Sequence, residues 1–478
     1  MAKAPERRDE TLVKDLRAQV AEMRQDRTSV RKDIERGFPD YAALVDPQPP
    51  SVDEIRKSLR PGETFLSIYL GEENSFVWAL PKEGAIALTA AKAGAAEIEK
   101  SVKKLREALE PQAETLEEIP AFDLDAAHEL YKLLLQPIEA AWKPAKSLVV
   151  TTNGALGLLP LGLLPTAPAQ VAASQVMFEG YKAVPWLAKT HAVSMIPSAS
   201  ALKTLRNLTP GSKDRETMIG FGDPFFSEEQ AKAAAVEVAS AASAMATRGT
   251  PLKRRNAPQT NGVASADLAM LPRLPDTTEE LTSIALALQA DPAKTLFLGK
   301  EANVRRVQKT DLTKYKVVVF ATHGLVPGEL EGLDQPALAM SAPSVADTDG
   351  DGLWTMGEIL GLKLNADWVV FSACNTGAGS GAGAEAASGL GRAFFYAGTR
   401  ALLVTNWSVH SVSAHDLVSD LFARQSKDAG LSRAEALREA MVTLMSGPGF
   451  VEEGKTLFSY AHPLFWAPYS LIGDGGGS

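Results

Sequence analysis

Two short runs of unbroken apolar residues constrain this chain more than anything else in it. Val317-Val318-Val319-Phe320-Ala321 and Trp368-Val369-Val370-Phe371 have the length of strands, and neither alternates polar with apolar. Strands of that kind are covered on both faces, as the inner strands of parallel sheets are. Each run stops abruptly at reactive side chains, the first at Thr322-His323-Gly324 and the second at Ser372-Ala373-Cys374-Asn375. The ligand crevice of an open α/β sheet lies at the carboxyl ends of its strands. An imidazole and a thiol are thereby delivered to one crevice, where they make a base and a nucleophile.

The surrounding sequence fits such a sheet. Residues 218–222, 295–298 and 401–405 read as further strands alternating with helical stretches, which predicts a doubly wound, mostly parallel α/β sheet. Thr277-x-x-Glu280 has the pattern of a capping box ahead of Leu281, Ile284, Ala285 and Leu288, which share one helical face. Upstream, residues 64–70 and 75–80 alternate around Gly71-Glu72-Glu73-Asn74 and read as a hairpin. Ser51-Val52-Asp53-Glu54 carries another capping-box pattern. Helices over about 93–110 and 124–142 and a strand at 147–151 follow. Residues 1–48 form a charged helical segment whose narrow stripe of Leu12, Leu16, Val20 and Met23 needs a partner to cover it. Residues 228–273 break the composition with an alanine-rich stretch and then turn formers, and read as a mobile insertion. Residues 475–478 read as a flexible tail.

Several ordered motifs resemble one family. Asp351-Gly352-Leu353-Trp354-Thr355-Met356-Gly357-Glu358-Ile359 precedes the cysteine strand. Gly389-Leu390-Gly391-Arg392-Ala393-Phe394 and Ala397-Gly398 follow it, then Trp407, then Pro463-Leu464-Phe465-Trp466-Ala467. Together with His323-Gly324 and Ser372-Ala373-Cys374 they resemble the CHAT-domain cysteine proteases, relatives of caspases and separases. The separation of the pair, 374 − 323 = 51, fits the His-to-Cys spacing of about 50 in caspases. The resemblance implies a caspase-like protease domain at 211–474, preceded at 49–210 by a smaller inactive caspase-like lobe of structural or regulatory role. It implies regulated cleavage of a dedicated protein substrate, often within bacterial defence or programmed-death systems. Members often follow helical repeats, and no repeat of that period occurs here.

In this reading Cys374 attacks a peptide carbonyl as a thiolate, and His323 takes its proton and returns it to the leaving amine. Backbone N–H groups of Gly324 and Cys374 form the oxyanion hole. Glu385 matches a family Gly-Glu position and is read as structural, capping a helix that starts near Ser388. Basic-specific relatives carry an aspartate two residues before the cysteine. Ser372 stands there in this chain, and a neutral hydroxyl does not offset the desolvation of a guanidinium, so the P1 residue is expected to be neutral. Trp407 is expected to wall the pocket. Its alternative is ordinary core packing. His410 and His415 are placed near the mouth as surface histidines, and Lys253-Arg254-Arg255 reads as a solvated basic loop.

Asp347-Thr348-Asp349-Gly350-Asp351 and Glu358 match the D-x-D-x-D-G-x5-E calcium loop. The same residues belong to the family motif, and residues 337–341 ahead of them read as a strand where an EF-hand has a helix. Calcium bound by Asp347, Asp349, Asp351 and Glu358 is kept as a possible cofactor, and none is required.

The bulk properties narrow the field further. A hydrophobic fraction of 45% with 22% charged residues is that of a globular chain. A net charge of −9 disfavours nucleic acid as the principal partner. A single cysteine excludes an intrachain disulfide framework and fits a reducing compartment. The start has no apolar signal region and no span reaches membrane length, so the expected location is the cytoplasm. The partners expected are a protein substrate and an activating protein. Two other readings compete: a catalytically silent caspase-like scaffold, which the retained Cys374 and His323 oppose, and a nucleotide-binding protein, which lacks any glycine-rich phosphate motif.

Overall fold

The computed structural model describes residues 10–37, 49–111, 113, 115–209, 211–241, 267–327, 329–330, 332–372 and 382–477. It divides into two units, Met1–Pro49 and Pro50–Ser478. The first contains helix Glu10–Gly37, along which Leu16, Val20, Met23 and Val30 are exposed.

The second unit is built on one sheet. Its first strands are β1 (Glu63–Leu70), β2 (Ser75–Pro81), β3 (Ala87–Ala91), β4 (Ser147–Thr152) and β5 (Ala192–Met195). Next come β6 (Glu216–Gly222), β7 (Leu296–Leu298) and β8 (Tyr315–Ala321). Three short strands follow, β9 (Gly324–Leu325), β10 (Ala337–Ala339) and β11 (Leu353–Thr355), which form a separate three-stranded sheet. The main sheet then takes β12 (Trp368–Phe371) and β13 (Ala401–Thr405); β14 (Phe450–Glu452) and β15 (Lys455–Phe458) make a hairpin; β16 (Tyr469–Gly473) closes the chain. The order across the main sheet is β3-β2-β1-β4-β5-β16-β13-β12-β8-β6-β7. Pairing is antiparallel only in the β3-β2-β1 corner and between β13 and β16. The mostly parallel, doubly wound sheet is therefore present, with the expected hairpin as its β1–β2 corner.

Period-two alternation divides the central strands between two cores. Val317, Val319, Trp368, Val370 and Leu403 meet Leu281 and Ile284 of helix Asp276–Ala287, together with Leu417 and Phe422 of helix Ser411–Lys427. Phe320 and Phe371 point the other way, against Trp354 and Phe394, with ring centroids 4.9–6.3 Å apart. Both faces are covered, which is why these runs carry no polar residue. Gly398 turns the chain from this helix side back into β13. Its φ is +112°, and a Cβ there would collide with the Leu364 carbonyl oxygen.

Three expectations on organisation change. The boundary at 210/211 does not separate distinct bodies, because β5 of the first stretch pairs in parallel with the last strand, β16. The two stretches share one sheet and one core. The stretch 228–273 is not loop throughout, since Glu228–Ala241 is helical and Leu271 is buried near its far end. Residues 242–266, with Lys253-Arg254-Arg255, lie outside the described residues. The glycine tail is docked, not free. Gly476 accepts from Arg433 at 2.6 Å and Gly475 accepts from the Ala434 N–H at 2.9 Å.

Asp474 holds that end. It takes both arms of Arg60 at 2.6 and 2.9 Å and lies 3.3 Å from Nε of Arg206, which itself grips Glu63. Burial works against ionisation of Asp474, yet Arg60, Arg206 and Arg433 override it and hold the pKa at about 2. A carboxyl depressed from 3.8 in this way stabilises the fold above its unfolded pKa, by about 2 kcal/mol. That contribution is expected to vanish as pH falls from about 4 to about 2. Asp474→Asn, which strands buried arginines, is expected to cost about 3 kcal/mol or more in urea unfolding at pH 7 and to flatten the acid limb of the stability curve.

Candidate active site

Strands β8 and β12 lie side by side and parallel, Val317 opposite Trp368 through Phe320 opposite Phe371. The register offset is 368 − 317 = 51, identical to the sequence separation of Cys374 from His323, 374 − 323 = 51. The ladder continues one residue further, with the Ser372 N–H donating to the Phe320 carbonyl at 3.1 Å. Cys374 itself, with the rest of 373–381, lies outside the described residues.

His323 stands two residues beyond β8 and is fully buried. Its carbonyl accepts from the Ala339 N–H at 2.9 Å, and Gly324 opens β9 opposite Leu338, so the small sheet fixes the backbone around the imidazole. A second small core, Phe226, Leu271, Leu325, Leu330, Leu333, Ala337 and Ala339, supports that loop. The Phe226 ring lies 5.6 Å from the imidazole. Nε2 of His323 is 2.7 Å from the Pro272 carbonyl oxygen. A carbonyl only accepts, so Nε2 carries the hydrogen and Nδ1 is the basic nitrogen of the neutral ring. An imidazole oriented by a backbone carbonyl is thus set at the end of β8.

The segment that supplies this carbonyl is clamped in place. Arg273 donates to both oxygens of Asp223, at 2.9 and 2.7 Å, at the end of β6. Thr277 accepts from the Asp223 N–H at 2.9 Å and donates to the Leu274 carbonyl at 2.6 Å. Thr277 therefore does not cap, and the capping box expected from Thr277-x-x-Glu280 does not form. The helix starts at Asp276, and Thr277 sits in its first turn. Glu280 is instead buried, 2% exposed, and its Oε1 accepts from the Ser372 hydroxyl at 2.6 Å. Sequence reading missed this carboxylate. The available signal was its position beside Leu281 and one turn before Ile284, on the stripe that faces the sheet.

The CHAT domain family matches residues 124–474. This chain belongs to the CHAT-domain family. Among curated proteins no relative matches. Solved structures similar to this CHAT-domain chain include the separase–securin complex of Saccharomyces cerevisiae, with TM-score 0.46 and 10% identity over 88% of this chain and 30% of that one. The arginine-specific cysteine proteinase gingipain R has TM-score 0.39 and 10% identity, over 80% of this chain and 74% of its own. Gingipain R of Porphyromonas gingivalis with its pro-domain gives 0.37 and 10%, over 80% and 76%. This chain spans about 30% of the length of the separase chain.

The remaining expected site residues fall in different places. Trp407 is fully buried in the core, its indole N–H donating to the Leu464 carbonyl at 3.1 Å, so it joins two family motifs. His410 is not on the surface. It is 2% exposed, ringed by Phe450, Phe458, Tyr460 and Phe465, and its Nδ1 accepts from the Ser413 N–H. His415 is partly exposed and bridges Ser283 and Asp416. The hydrogen bond to Asp416 raises its pKa, with the charges of Asp416, Glu280 and Glu279 acting the same way. The helix expected near Ser388 begins at Ala382, which places Glu385 inside it, with its side chain outside the described residues.

Two of the four expected calcium ligands have other partners. Asp351 accepts from the Leu353 N–H, and Glu358 closes a true capping box with Thr355 and accepts from Gln308. The residues before the expected calcium loop form the four-residue helix Pro343–Ala346 after β10, where an EF-hand needs a long helix. Among the described residues no three His, Cys, Asp or Glu gather as a metal requires. Among them also, no helix is long and apolar enough to cross a membrane. Millimolar calcium and a chelator are expected to give the same thermal unfolding midpoint. Trp407→Ala is expected to cost about 3–5 kcal/mol in denaturant unfolding, the signature of a core residue.

Proposed function

We propose that this CHAT-domain chain is a cysteine endopeptidase in which His323 activates Cys374. The observation that carries the reading is the imidazole at the end of β8, tied through Nε2 to the Pro272 carbonyl and set beside the parallel strand that precedes Cys374 in sequence. Nδ1 of His323 takes the proton of Cys374, and the thiolate attacks the scissile carbonyl. The backbone N–H groups of Gly324 and Cys374 hold the oxyanion. The imidazolium then protonates the leaving amine, and water releases the acyl enzyme.

The substrate is a protein, cut after an uncharged P1 residue. Ser372 supplies a hydroxyl at the position where basic-specific relatives place a carboxylate. Its proton is committed to Glu280, so a basic P1 in the cleavage map would transfer the specificity role from Ser372 to that buried carboxylate. Family membership supports activation by a partner protein. The lone thiol suits a reducing compartment such as the cytoplasm.

The test is cleavage of a proteome-derived peptide library by the wild type, Cys374→Ala and His323→Ala, with sites read by mass spectrometry. Both variants are expected to lose activity by at least about a hundredfold. Cuts that survive in Cys374→Ala would rule out the thiol mechanism, and a library untouched by the wild type would favour the scaffold reading.

A further inference from the structure

One short stretch of chain, Pro272 to Glu280, touches both strand ends that carry the proposed chemistry. Its first residue orients His323 through a carbonyl, and its last holds Ser372, two residues before Cys374, through a carboxylate. Between them Arg273 and Thr277 lock the stretch to Asp223 at the end of β6. Asp276 accepts from Ser411 at 2.6 Å and Ser283 meets His415 at 2.5 Å, so the same helix is also pinned to helix Ser411–Lys427. The helix cannot slide without disturbing both the base and the strand that leads to the thiol.

Glu280 is the unusual member of this stretch. Burying a carboxylate costs more than burying an apolar side chain of the same size, and Leu281 and Ile284 beside it show that apolar residues serve on this stripe. A carboxylate is suited to one thing that leucine is not: holding a hydroxyl at fixed distance and direction through a charge-assisted hydrogen bond. The Ser372 main chain is already held by the ladder to Phe320. Adding the side-chain bond to Glu280 immobilises the residue that follows β12 in all directions, just before the nucleophile.

We propose that Glu280 is a positioning residue of the catalytic site, acting through Ser372 to keep Cys374 in register with His323. The proposal rests on the dyad reading above. Among the described residues, His415 on the neighbouring helix feels the charge of Glu280, and of Asp416 and Glu279 with it, and Asp276 lies one turn earlier on the same helix as Glu280. Asp276, Glu279, His415 and Asp416 are left untouched in the test.

Because Cys374 is the only cysteine, alkylation by iodoacetamide followed by mass spectrometry reports on it alone, with or without peptidase turnover. Rates are measured from pH 5 to 9 (roughly the span of perturbed thiols) for the wild type, His323→Ala, Glu280→Ala, Glu280→Gln, Ser372→Ala and the Glu280→Ala/Ser372→Ala double variant. Loss of positioning loosens the thiol from its base, so Glu280→Ala is expected to alkylate about tenfold more slowly at neutral pH, the equivalent of one unit in the thiol's pKa. Ser372→Ala should match it, the double variant should be no slower than either, and Glu280→Gln, which keeps an accepting oxygen, should stay near the wild type. Peptide turnover by Glu280→Ala, where measured, should fall mainly in kcat. Glu280→Gln and Ser372→Ala read the contact without emptying the site, so a failure of Glu280→Ala to fold does not remove the test. A wild-type profile in Glu280→Ala and Ser372→Ala beside a shifted His323→Ala overturns this proposal alone. A profile unchanged by His323→Ala overturns the dyad and this proposal with it.

Discussion

Four successive residue pairs hold β8 against β12, both strands running the same way and both covered on each face. Parallel pairing fixes where two strand ends fall relative to each other, and burial on both faces leaves the ends as the only places where a polar side chain can reach a crevice. The register offset between the two strands is 51 residues, the same number that separates Cys374 from His323 in sequence. A slip of one residue would turn every side chain of β12 to the opposite core, setting Phe371 where Val370 belongs. The core around Val317, Val319 and Val370 on one face and the aromatic core on the other therefore enforce the register of β8 with β12.

Around that ladder, the polar contacts are concentrated in one stretch. Arg273 with Asp223, Thr277 with the Asp223 N–H, the Pro272 carbonyl with His323 and Glu280 with Ser372 all draw on the nine residues from Pro272 to Glu280. The family motifs farther away serve the frame. Trp354 packs on Phe320 and Phe394, and Trp407 donates to the Pro463–Trp466 helix. Resemblance in sequence thus marks two kinds of residue, those that carry chemistry and those that hold strands where the chemistry can occur. Only the contacts separate them.

Much of this was legible beforehand, for local reasons. The unbroken valine and phenylalanine runs announced doubly buried strands, the alternation at 64–70 and 75–80 announced a hairpin, and Ser51 with Glu54 made the capping box their spacing announced. The same spacing misled at Thr277 and Glu280. A T-x-x-E pattern is equally compatible with a helix that begins two residues earlier and turns its glutamate inward. His410 misled because a polar tip on an aromatic side chain is satisfied as well by a buried N–H as by solvent, while Trp407 packs in the core, the alternative its sequence left open. The calcium pattern stands without its usual frame, since an EF-hand loop is delivered by helices, and here a strand and a single helical turn precede it, the strand as its sequence announced.

The sequence by itself determined the strands, their polarity of burial and the reactive residues at their ends, since these follow from periodicity and residue chemistry within a few positions. Tertiary structure alone decided that the two halves share a sheet through β5 and β16, that the glycine end is drawn in by Asp474 among arginines, and that Glu280 meets Ser372 across 92 residues of chain. Each of those depends on a partner distant in sequence. A side chain's own pattern carries no record of which distant group will face it once the sheet closes.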